Sequence, residues 1–123
     1  MKIEVSIGEI VDKLSILKIK KEFIKDEEKL KNVKKEYDYL YDIVFNEMKI
    51  NQSDFSEMVL INEKLWNIED DIRDKERNKE FDADFIKLAR AVYVTNDKRA
   101  EVKKKINIKY KSSFVEEKSY NKY

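Results

Sequence analysis

No proline and only one glycine, Gly8, occur in the 123 residues of this chain, and those two counts narrow the fold more than any other feature. The turns and bulges of β proteins draw on both residues, whereas a helix interior loses about 1 kcal/mol to a glycine and about 3 kcal/mol to a proline. A chain that avoids them suits long helices. Charged residues make up 43% of it and alternate in sign, as on solvated helix faces. The expected fold is all-α: an antiparallel helical bundle of about four helices with a long helical hairpin and a docked C-terminal tail.

The apolar spacing places the helices at about 7–24, 27–49, 55–77 and 83–107. Ser6-Ile7-Gly8-Glu9 fits a capping box, with Val5 and Ile10 as its hydrophobic staple. Ile7, Ile10, Val11, Leu14 and Leu17 form the first stripe. Asp26, Asp54 and Asp82 are the expected caps of the next three helices. Leu30, Val33, Tyr37, Leu40 and Val44 repeat at 3 and 4, the seam of an antiparallel hairpin or short coiled coil; a continuous bent helix through residue 24 fits the same pattern. Met58, Ile61, Leu65, Ile68 and Ile72 give helix three its face, and Phe85, Leu88, Ala89 and Val92 begin that of helix four. Residues 1–107 therefore read as one bundle. The remainder, 108–123, reads as a tail with one short helical turn at Ser113 to Glu116, its aromatic residues (Tyr110, Phe114, Tyr120, Tyr123) docked.

Several functions are excluded outright. Without cysteine or histidine, the chain holds no disulfide, thiol nucleophile, Ser-His-Asp triad or ordinary zinc site. A net charge of +1, with Lys103-Lys104-Lys105 the only basic triplet, argues against nucleic acid as partner. No run of 18 apolar residues suggests a membrane span, and the charged start of the chain is not a signal peptide. The expected location is cytoplasmic.

Two kinds of position remain. Glu9 and Asp12 on helix one, and Glu69 and Asp70 on helix three, are the candidate metal ligands; hard carboxylate oxygens suit magnesium. Only four of the 27 basic residues are arginine, and all four lie between Arg73 and Arg99. Where lysine is the default cation, arginine marks a need for a planar, two-pronged donor. On helix four the apolar line runs from Val92 into Asn96, Arg99 and Lys103. Either that helix bends away near residues 95–97, or these groups meet acids from another helix, with Asp12, Glu69 and Asp70 the candidates. Lys13, Arg73, Arg90, Tyr93, Asn96, Arg99 and Lys103 are accordingly the candidate anion- or ligand-binding residues.

The stretches Ser6-Ile7-Gly8-Glu9-Ile10-Val11-Asp12-Lys13-Leu14-Ser15-Ile16-Leu17-Lys18-Ile19-Lys20, Leu65-Trp66-Asn67-Ile68-Glu69-Asp70-Asp71-Ile72-Arg73 and Phe85-Ile86-Lys87-Leu88-Ala89-Arg90-Ala91-Val92-Tyr93 resemble an uncharacterised family of small helical proteins of bacteria and tailed marine phages. Thr95-Asn96-Asp97-Lys98-Arg99 continues the likeness. The resemblance implies a phage or bacterial origin, with a host-cytoplasm location if phage-encoded, and no particular reaction. Glu9-x-x-Asp12 and Asp71-x-x-Asp74 are loosely similar to the paired carboxylates with which MazG-like nucleotide pyrophosphohydrolases hold magnesium. The long first helix and scarce arginines look similar to helical chorismate mutases, though no motif matches in order. The leading expectation is a helical accessory protein that self-associates, most simply as a dimer, and presents a charged cluster to an anionic partner, small molecule or nucleotide. The alternative is a magnesium-dependent phosphate-ester hydrolase.

Overall fold

The computed structural model describes residues 1–119 and 121–123; Tyr120, expected among the docked aromatics, lies outside them. Four α-helices follow in order: α1 (Ile7–Phe23), α2 (Glu27–Asp42), α3 (Gln52–Arg77) and α4 (Ala83–Lys109), with a π-helical turn, Ile43–Glu47, closing α2. No helix among the described residues is long and apolar enough to cross a membrane.

The N–H groups that open an α-helix have no partner inside it, and those of Ile7, Gly8 and Glu9 in α1 each find one before the first intrahelical bond, from Ile10, is made. Ser112 Oγ, from beyond the end of α4, accepts from Ile7 N at 3.0 Å. Asn107 Oδ1 takes Gly8 N at 2.6 Å, Ser6 Oγ takes Glu9 N at 3.2 Å, and the Ser6 carbonyl takes Ile10 N at 3.4 Å. The Glu9 carboxylate, expected to reach back to the cap, goes instead to Lys103 Nζ, 3.0 Å away. Asp26 and Asp82 cap α2 and α4 through Lys29 N and Phe85 N.

The chain turns at residues 24–26 rather than running on as one bent helix, and α2 packs back against α1 alone among the α-helices. Its seam residues Leu30, Val33, Tyr37 and Leu40 are half-buried, and α2 contributes no fully buried side chain. Lys21 Nζ lies 3.9 Å from the centre of the Tyr37 ring and Lys13 pairs with Glu36 at 3.7 Å. The π turn, with Met48 N donating to the Ile43 carbonyl at 2.8 Å, brings Val44 fully into the core.

Asn51, not Asp54, occupies the cap position of α3, and Asp54 lies in its first turn. Three helices end at a lysine in the left-handed region, Lys49, Lys79 and Lys111, where glycine is the usual choice. At Lys79 and Lys111 the paired closing bonds of a Schellman motif are both made: Glu80 N to the Lys75 carbonyl and Lys79 N to that of Glu76, then Ser112 N to Asn107 and Lys111 N to Ile108.

The core joins Val11 and Leu14 of α1, Val44, Ile50, Phe55, Met58 and Val59 around α3, and Ile106 of α4. Each such side chain contributes about 1.5–3 kcal/mol by leaving water. α1 touches α2, α3 and α4. It runs antiparallel to α4, with Gly8 beside Asn107 and Asp12 beside Lys103, and alongside α3, with Phe23 stacked on Trp66 at 5.5 Å. Beyond Trp66 only α3 and α4 continue as a two-helix arm, where no residue from 66 to 94 is buried.

The described residues of the tail run back along α4 without helix. Glu116 and Glu117 reach Lys103 and Lys104 at 3.4 and 3.1 Å, and the Tyr123 ring meets that of Tyr93 at 5.2 Å. The short helical turn expected at Ser113 to Glu116 does not form, because Ser112 and both glutamates are engaged by α1 and α4.

Candidate functional site

α1 carries two buried faces. One is the apolar stripe; the other runs through Gly8, Asp12, Ser15 and Ile19, spaced 4, 3 and 4, and faces α3 and α4. Close approach makes it possible. A Cβ on Gly8 would stand 2.7 Å from the Lys103 carbonyl oxygen, a separation ordinary packing does not allow. The lone glycine thus lets α4 lie against α1 at the level of its polar residues.

Asp12 is the centre of the cluster that results. Its Oδ1 accepts from Asn62 Nδ2 at 2.8 Å, and the same nitrogen donates to Ser15 Oγ at 2.6 Å. Ser15 Oγ donates to the Asp12 main-chain carbonyl at 2.6 Å. From α4, Arg99 Nη1 reaches Asn62 Oδ1 at 3.4 Å and stands 4.0 Å from Asp12 Oδ1. Lys103 Nζ meets three carboxylates: Glu9 at 3.0 Å, Asp12 at 3.4 Å and Glu116 of the tail at 3.4 Å. Burial pulls the Lys103 ammonium toward its neutral form, but the hydrogen bond to Glu9 and the charges of Asp12, Glu9 and Glu116 outweigh it and hold its pKa above the usual lysine value. Glu116 is held below the usual carboxylate range, first by its hydrogen bond from Lys118, against some burial, and then by Lys103.

A buried ion pair must be fully hydrogen-bonded to offset the cost of removing its charges from water. Asp12, with an amide donor on Oδ1, and Lys103, among three carboxylates, approach that condition. Arg99 does not: a guanidinium has five N–H donors, and among the described residues Arg99 makes one long hydrogen bond. It lines an open cleft of about 230 Å³ with Asn96, Ala100, Lys103, Glu116 and Lys118. Among the described residues, the Asn96 Oδ1 and Asn107 Nδ2 atoms are buried without hydrogen-bond partners.

Of the candidates from sequence, Glu9, Asp12, Asn96, Arg99 and Lys103 come together here. α4 continues unbroken through residues 95–97, so its polar line meets acids rather than bending away. The others lie elsewhere. Lys13 faces α2, pairing with Glu36. Glu69 pairs with Arg73 at 3.4 Å on the arm, about two turns along α3 from Asn62. Asp70 and Arg90 are exposed on the arm, and Tyr93 meets the tail. Among the described residues no group of three acidic side chains is placed to hold a metal ion; Glu9, Asp12 and Glu116 converge on an ammonium instead. Ser15, Asn62, Asn107 and Glu116 were not singled out. Asn62 had a local signal, since it lies between Ile61 and Leu65 on the apolar side of α3, where a polar residue needs a partner.

The chain belongs to a family of proteins of unknown function (DUF6165), which it matches over residues 1–123. No curated protein and no solved structure matches it.

Proposed function

We propose that this chain is a helical interaction protein that self-associates through the two-helix arm, leaving the polar cluster of the body free for an anionic ligand. One observation carries the reading. The apolar stripes of α3 and α4 continue into the arm as Ile68, Ile72, Phe85, Leu88 and Val92, yet none of these residues is buried. Helical segments of about 12 residues are marginal in water unless an apolar face is covered. On the arm each stripe is covered by only one neighbour.

A second copy suits the uncovered side in charge and makes a contact of modest size. Twelve residues span about 18 Å, and two helices side by side about 20 Å. Such a face is about 360 Å² in flat projection, short of the ~600 Å² per partner of standard interfaces even before edge losses, and so of the size class of weak, reversible association. Residues 66–77 carry five carboxylates against three cations, whereas 83–94 carry one carboxylate, Asp84, against two cations, Lys87 and Arg90. A two-fold arrangement lays the acidic helix of one arm on the basic helix of the other, which is the self-complementarity such a dimer requires.

Sedimentation equilibrium tests this. The chain is expected to sediment as a dimer at micromolar concentration, and Leu88→Asp, at a residue bordering a surface groove, as a folded monomer. A monomer at every concentration removes the proposal.

A further inference from the structure

We propose that the cleft beside Arg99 and Lys103 is a binding site for a small organic acid, and that Glu116 of the tail is its internal occupant, displaced when the acid binds. The inference rests on the reading of the cluster as anion-binding and names its ligand class.

Three observations support it. Among the described residues one donor of the flat Arg99 guanidinium is used, at 3.4 Å, and the side chain, 26% exposed, lines the cleft. A carboxylate is the group that a guanidinium binds through two parallel bonds. Lys103 already shows how such a group is held: its ammonium lies among three carboxylates, one of which, accepting its hydrogen bond at 3.4 Å, is that of Glu116, on a segment attached largely through surface pairs. The exposed Lys104–Glu117 pair is of a kind worth under about 1 kcal/mol. An arriving carboxylate replaces the Glu116 charge one for one, so the charge around Asp12 stays matched.

The cleft, about 230 Å³ and open to solvent, has room for a small di- or hydroxy acid. The same geometry disfavours phosphate. Phosphate would concentrate its charge on one centre between Arg99 and Lys103, facing Glu9 and Asp12, which lie 3.0 and 3.4 Å from Lys103 Nζ, where like charges repel. Succinate or malate places a single carboxylate there and holds its second several bonds away.

The test is calorimetric titration of the full chain and of Glu116→Gln with succinate, L-malate and inorganic phosphate. Removing the internal competitor should tighten binding of at least one acid by about tenfold, with phosphate weaker. In Glu116→Gln, the Arg99 side-chain Nε–H resonance should shift with the same titrant, which needs no substitution at Arg99; adding Arg99→Lys should weaken binding while helicity is retained. No binding of either acid up to about 10 mM, equal affinity in the two chains, or phosphate bound as tightly as the acids overturns the proposal. A monomeric Leu88→Asp chain that still binds would separate this site from the self-association reading.

Discussion

Asp54 ties the first turn of α3 to the last turn of α4. Its Oδ2 accepts from Lys109 Nζ at 2.8 Å and from the Tyr110 hydroxyl, whose oxygen in turn accepts Asn51 N at 2.9 Å. Burial pushes the Asp54 carboxyl up, but the hydrogen bonds from Lys109 and Tyr110 outweigh it and hold the pKa below the ordinary value. A carboxylate with a depressed folded-state pKa stabilises the fold above its unfolded-state value, near 3.9, and loses that contribution as pH falls through the folded value. Asp54→Asn should therefore cost roughly 1–3 kcal/mol at pH 7, and its difference from the parent chain should narrow below about pH 4. Urea unfolding at pH 7 and pH 3 measures both; a difference independent of pH would show that the charge contributes nothing. The sequence reading placed Asp54 at the helix cap, as a local pattern suggests. Its partners lie 55 and 56 residues away, and nothing within one turn of Asp54 announces them. Ser6, Asp26 and Asp82 were legible because their partners lie three residues on.

Between helices the decisive contact is Gly8 against α4. Replacing glycine by alanine inside a helix ordinarily stabilises it by about 1 kcal/mol. At Gly8 the new methyl would meet the backbone oxygen of Lys103 at 2.7 Å, and a backbone atom cannot swing aside as a flexible side chain can. Forcing the helices apart typically costs about 1–3 kcal/mol and strains the 2.6 Å bond from Gly8 N to Asn107 Oδ1. The overpacking term wins, so Gly8→Ala should lower the unfolding midpoint despite its better helix propensity. A raised midpoint in thermal melts would contradict the close approach. Helix existence was legible because periodicity is local. The second buried face of α1 was not: Gly8, Asp12 and Ser15 differ from a solvated face only in what lies opposite, and that depends on how α3 and α4 return. Polar interruptions at Asn96, Arg99 and Lys103 were legible because they sit on an apolar line.

At the scale of the molecule, body and arm differ in how they are held. Val11, Leu14, Met58 and Ile106 are enclosed by three helices and the π turn, whereas the stripes of the arm are enclosed by one neighbour each. Amides open with free energies that track local burial, so in a dilute, monomeric chain residues 66–94 should exchange hydrogen far faster than the segments around Leu14 and Met58. If a second copy covers the arm, raising protein concentration slows exchange there by mass action. The body, whose opening requires breaking the Asp12 network, should gain less. Exchange followed by mass spectrometry at two concentrations about a hundredfold apart reads this directly, since micromolar association predicts a change across that range. Protection of the arm that is already high and does not vary with concentration would mean that the hairpin is stable alone. Its partly exposed Ile68, Ile72 and Leu88 would then be ordinary surface.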